Sequence, residues 1–169
     1  RHGYEFFSKN KIKIKKKNLI KVDFISGHIF LIKKLVLDRV GYYDKNIFLN
    51  FEERDLFRRM NNKNFNAFIV KNIYAKHLEG QSANNNYLHQ MELSSKWHYH
   101  WGLIYFTRKH YGILISLVIF FYSIFLNSLK FFYFLLKFDV RRSKIIYFSI
   151  LGLFASILFC RSFYRPNIK

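Results

Sequence analysis

Residues Gly41 to Arg59 read GYYDKNIFLNFEERDLFRR, and this stretch decides how the rest of the chain is read. Three carboxylates, Glu52, Glu53 and Asp55, fall within four positions behind an aromatic, apolar lead-in. The chain carries 10 acidic residues against 29 Lys plus Arg, for a formal charge of +19, so the cluster locally reverses a basic protein. Two readings fit. The acids can open a helix, where unpaired backbone N–H groups and the positive end of the dipole favour negative charge. Alternatively, they crowd into a site that binds a cation or takes up a proton.

Working outward, Leu56, Phe57 and Met60 continue the helical pattern to Asn62, and Asn61 to Asn64 is turn chemistry. Leu35 to Val40 predicts a short helix capped by Gly41. Val22 to Ile32 predicts two strands, VDFI and HIFLI, broken at Ser26-Gly27. Phe65 to Val70 and Ile73 to His77 are further β-rich segments, which makes the region α/β in pattern. Ahead of it, residues 1–21 form a lysine-rich segment, either an exposed edge strand at Lys11 to Lys15 or a solvated loop. The chain opens on Arg1 with no signal-like segment, so it reads as a fragment or a processed piece whose true start is missing.

Beyond the polar loop Leu78 to Asn86, Tyr87 to Tyr111 turns helical. His89, His98, His100 and His110 are expected there as surface or interfacial side chains. Gly112 to Leu129 carries no charge, and Phe131 to Leu136 extends it past Lys130. A helix of about 18 residues rises roughly 27 Å, close to the thickness of a hydrocarbon core. Ile145 to Cys160 is a shorter apolar segment with a small, weakly polar stripe at Ser149, Gly152 and Ser156. Basic residues flank both segments, so residues 112–169 are expected to be a membrane-associated tail. With basic flanks in all three places, the tail should lie along or dip into the inner, cytoplasmic leaflet and not form a two-span hairpin. The lone cysteine, Cys160, excludes an internal disulfide and is expected to be buried or lipid-facing.

The order VDFISGHIFLIKK, then GYYDKNIFLNFEERDLFRR, then IYAKHLEGQS resembles the C-terminal half of family 2 glycosyltransferases with the GT-A fold, rhamnosyltransferase-like members above all. It covers roughly Val22 to Tyr111. The resemblance implies metal-dependent, inverting transfer of a sugar from a nucleotide-sugar donor to a saccharide or lipid-linked acceptor, in cell-surface polysaccharide synthesis. It makes Glu53 the general base, where the family usually has Asp, with Glu52 and Asp55 holding the loop or assisting the acceptor. It makes His77 a ligand of Mg²⁺ or Mn²⁺, and it places Ser26, Gly27, Gly80 and Ser82 along the substrates. Arg59, matched to the same block, is a substrate-side residue or a brace for the acidic helix. Glu53 and His77 should then open onto one concave face, with Ser26 and Gly27 nearby. One departure is plain: no Asp-x-Asp occurs in the chain, so the family's nucleotide-binding half is absent from these residues.

Two competing readings belong to other classes. One is a non-catalytic, basic, membrane-anchored interaction module. The other is a nucleic-acid binder using the Lys9 to Lys21 run, but no nucleic-acid motif appears and the partners expected are sugars and lipid.

Overall fold

A computed structural model describes residues 18–25, 29–71, 73–75 and 87–165. Helix dominates these residues. The chain runs β1 (Leu19–Val22), α1 (Lys34–Val40), α2 (Glu52–Asn62), β2 (Ala67–Val70), α3 (Leu88–Tyr111), α4 (Ile113–Leu136) and α5 (Val140–Ile157).

The first part is small. β1 and β2 form an antiparallel ribbon with Leu19 opposite Val70 and Val22 opposite Ala67. Helix α1 ends where Gly41 adopts φ +85° and returns its N–H to the Leu37 carbonyl at 2.7 Å. Helix α2 has all three acids in its first turn and Arg59 in its last, and it turns Leu56, Phe57 and Met60 inward. These three join Val40 and Ala67 in one core, with Val22, Ile25, Ile32, Val36, Leu37 and Phe65 packed around it. Phe24 and Phe30 meet the Phe57 ring edge-on.

The strand pattern differs from expectation. The first strand is Leu19–Val22, earlier than VDFI, and Ile29 to Ile32 of HIFLI pair with no strand among the described residues. Phe30 and Ile32 turn toward the core while Ile29 and Leu31 point out. The alternation is thus real, but no neighbouring strand among the described residues pairs with it. Ile73 to Ala75 are likewise not strand. The lysine-rich segment up to Lys17 and the Ser26-Gly27 break lie outside the described residues.

The larger part is a three-helix bundle. Helix α3 turns back into α4 across a single corner residue, Gly112, at φ +90°. Helix α4 returns into α5 through Lys137 to Asp139, with the Asp139 carboxylate capping the Arg142 N–H at 2.9 Å. Helices α3 and α5 run in the same direction. Arg141 donates to Glu92 at one end (3.0 Å), and Arg108 donates to the Ser156 carbonyl at the other (2.7 Å). Their approach is close because Gly152 has no side chain: a Cβ there would collide with the Trp97 carbonyl oxygen. Ser149 and Ser156, also buried, complete the small-residue face anticipated from sequence. Ile104, Phe120 and Leu153 form a shared core between α3, α4 and α5.

Residues beyond α5 fold back over α3. Trp101 Nε1 donates to the Cys160 carbonyl at 3.0 Å, and His98 Nε2 donates to the Tyr164 carbonyl at 2.9 Å. His98 Nδ1 then accepts from Ser162 Oγ at 3.0 Å. His98 is fully buried, contrary to its surface or interfacial expectation, and burial lowers its pKa. Cys160 is exposed rather than buried.

Helix α4 is the one helix among the described residues long and apolar enough to cross a membrane, with a mean hydropathy of 1.9. Only 17% of its apolar window is buried in the protein.

Candidate functional site

The acidic helix starts from a strained turn. Asn50 and Phe51 both sit at positive φ, +61° and +65°, a conformation costing about 1–2 kcal/mol per non-glycine residue. Packing against α3 holds it there. Asn50 Nδ2 donates to the Ser95 carbonyl at 3.0 Å. Phe51 is buried against Gly102, where an added Cβ would approach its ring to 2.8 Å, and against Tyr99 and Phe106. The lead-in of apolar and aromatic residues is therefore what orients the acids that follow.

The three carboxylates have different surroundings. Asp55 is fully buried and each of its oxygens is engaged. Arg59 Nε donates to Oδ2 at 2.9 Å, while His110 Nε2 and Lys109 Nζ approach Oδ1 at 2.8 and 2.6 Å. Burial alone would raise its pKa, but hydrogen bonds from Lys109, His110 and Arg59 outweigh burial and hold it below the usual value. Asp55 is thus buried and ties α2 to the end of α3, which matches the loop-holding one of the two roles open to it.

Lys109 also reaches Asp44, at 2.7 Å. Asp44 accepts from Tyr105 Oη (2.8 Å) and from the Asn46 N–H (2.9 Å) as well. Burial acts to raise its pKa, yet these bonds and the lysine charge bring it down to about 2. The Asp of GYYD and the Asp of FEERD are thereby joined through one ammonium group.

Arg59 is turned back onto the chain. Its guanidinium donates to the carbonyls of Val40 (2.6 Å), Gly41 (2.9 Å) and Tyr42 (2.7 Å) as well as to Asp55. It is a brace, the second of the two roles weighed for it.

Glu52 and Glu53 remain, half-buried in the first turn of α2. Glu52 Oε2 has no hydrogen-bond partner among the described residues. Burial, reinforced by the Glu53 charge, raises the pKa of Glu52. The Tyr43 phenol is also raised, by burial and then by the charges of Glu53 and Glu52, which places it beside both. The open part of the motif is therefore Tyr43, Glu52 and Glu53.

Ser26, Gly27, His77, Gly80 and Ser82 lie outside the described residues, and so does the expected shared face of Glu53 and His77. Among the described residues no three His, Cys, Asp or Glu side chains converge on a cation position. Glu52 and Glu53 are adjacent on the helix and diverge, so by themselves they do not form a metal shell. A polar cleft of about 530 Å³ lies at the other end of α2, between Lys21, Asp23, Arg58, Asn61 and Asn66. It sits away from the acids.

Comparison with family models, curated proteins and solved structures finds no match.

The functional reading from sequence missed Lys109, His110, Asp44 and Tyr105. Arg108-Lys109-His110 looked like the basic flank of an apolar helix, and His110 like a surface histidine. Its side chain is only 7% exposed. The available signal was the reverse one: Asp55, three residues into a helix and followed by Leu56 and Phe57, needed a buried cation from elsewhere.

Proposed function

We propose that the chain is the acceptor-side part of a membrane-associated, family 2-like glycosyltransferase of the GT-A type, with Glu53 as general base. The observation that carries this reading is the sorting of the three acids. One is locked away as a structural anchor, and two are left at a strained, well-braced helix start. A sugar hydroxyl is a poor nucleophile until its proton has an acceptor, and a carboxylate on a rigid element supplies one. Glu52, whose pKa is raised, lies beside that carboxylate and helps hold the acceptor.

The ribbon is consistent with a larger sheet. A two-stranded ribbon is marginal alone, and Ile20, Phe68 and Ile69 stand exposed on this one. Further strands from a nucleotide-binding half would cover them. That half would bring the donor site, and with His77 the divalent metal that neutralises the leaving diphosphate. The reaction would be inverting, with a nucleotide-sugar donor and a saccharide or lipid-linked acceptor.

A non-catalytic membrane-anchored module is the competing reading, favoured by the predominance of helix. The experiment that separates them is sugar transfer by the polypeptide extended through the coding region upstream of Arg1. Transfer lost about a hundredfold in Glu53→Gln supports the enzyme. No transfer by the extended polypeptide, or full turnover in the variant, overturns it.

A further inference from the structure

Helix α4 carries an exposed apolar stripe. Leu114, Val118, Phe121, Phe125, Leu129 and Phe132 follow one another at intervals of three and four residues, and each is more than half exposed. Two small polar side chains of the same helix face inward. Ser116 and Asn127 are buried against the bundle and donate to carbonyls of their own helix, those of Ile113 and Ser123, at 2.8 Å each. A helix in water places these groups the other way round. An apolar exterior over a polar interior suits hydrocarbon.

The packing fixes how such a helix can meet lipid. The acid-bearing segment lies along α3 from Ser95 to His110, through Asn50, Phe51 and Asp55. Helix α4 runs back along the same helix from the Gly112 corner, with Phe120 packed beside Ile104. With α4 upright across a bilayer, α2 would be carried to the same depth. Glu52, Glu53, Arg54 and Arg58 would then enter hydrocarbon, where charged side chains are strongly disfavoured.

The alternative fits every contact. Gly102 and Phe106 face α2, whereas Ile104, two residues away and so about 200° round the helix, faces α4. The α4 stripe therefore points away from the acids. Its far end is basic: Lys130 on α4, Lys137 just beyond it, then Arg141, Arg142 and Lys144 on α5. Asp139, already paired with Arg142, is the one acid between them.

We infer that α4 lies in the plane of an anionic bilayer, with its Leu114–Phe132 stripe in the upper hydrocarbon and its basic end against the headgroups. The inference deepens, and rests on, the membrane association in the proposed function. It is independent of sugar transfer. Two helix layers then hold Glu52 and Glu53 roughly 20 Å above the lipid, at the usual spacing of packed helices.

Depth-dependent fluorescence quenching tests it. Single cysteines at Val118, Phe125 and Phe132, in a Cys160→Ser background, would carry an environment-sensitive dye. The protein is then mixed with vesicles of phosphatidylcholine and phosphatidylglycerol containing spin-labelled lipids. In-plane seating gives a blue shift and one shallow depth at all three positions. It also gives at least about tenfold weaker partitioning for Phe125→Glu with Leu129→Glu, and for vesicles of phosphatidylcholine alone. A depth profile with Phe125 deepest and both other positions shallow means a spanning helix and overturns it. No blue shift, with a dimer in solution that cross-links through position 125, assigns the face to a second copy and overturns it equally. Absence of sugar transfer bears only on the enzyme reading.

Discussion

Lys109, in the last turn of α3, stands 2.6 Å from Asp55 in the first turn of α2 and 2.7 Å from Asp44 in the loop before it. One ammonium group thus joins both halves of the GYYD and FEERD motif to the helix that carries the apolar tail. The acids that stay open are oriented by this joint and by the Phe51 turn.

Removing the buried partner should be costly. Asp55→Asn leaves Lys109, His110 and Arg59 facing a neutral amide in a buried position, and about 3 kcal/mol or more of stability should be lost. Lys109→Met should cost less, about 1–2 kcal/mol, because Arg59 and His110 still hold the carboxylate. Urea unfolding followed by the fluorescence of Trp97 and Trp101 measures both. Equal midpoints for Asp55→Asn and the parent chain would contradict the anchoring role.

The same joint sets an acid limit. Asp44 is held at about 2 and Asp55 below its ordinary value, so on acidification the unfolded chain protonates first. Their contribution is fully present above the unfolded value, near pH 4; that of Asp44 is lost as the pH falls through about 2, and that of Asp55 as the pH falls through its own lowered value. Lys109 acts in the opposite sense: burial alone would lower its pKa, but Asp44 and Asp55 raise it. Its share is full below the unfolded lysine value and is lost as alkaline pH passes the folded one. Circular dichroism across pH 2 to 5 should show Asp44→Asn with a flatter acid transition. A superimposable transition would count against it.

Gly152→Ala probes how α5 reaches α3. The added methyl meets the Trp97 carbonyl, which is backbone and cannot swing aside, so the helices must separate. A loss of about 1–3 kcal/mol is expected, with a red-shifted tryptophan emission. A neutral change would mean the two helices part easily.

Much of this arrangement was legible in the chain. The span Glu52–Asn62, the cap at Gly41, the inward Leu56, Phe57 and Met60, and the helices from Leu88 onward follow from periodicity and terminal signals. So does the small-residue face of α5. The shift of β1 to Leu19–Val22 was not legible, because Leu-Ile-Lys-Val becomes a strand through its partner Ala67–Val70 and not through its own pattern. The buried states of His98 and His110 were hidden for a similar reason. Their partners, Tyr164, Ser162 and Asp55, are remote in sequence and are brought close only by the fold. Local spacing on the helix suggested surface positions.

The most direct measurement compares Glu53→Gln with Asp55→Asn in the polypeptide extended upstream of Arg1, recording sugar transfer and unfolding midpoint together. A general base at Glu53 predicts kcat lower by about a hundredfold or more with the midpoint unchanged. Asp55→Asn should chiefly lower the midpoint. Full turnover in Glu53→Gln would contradict the account.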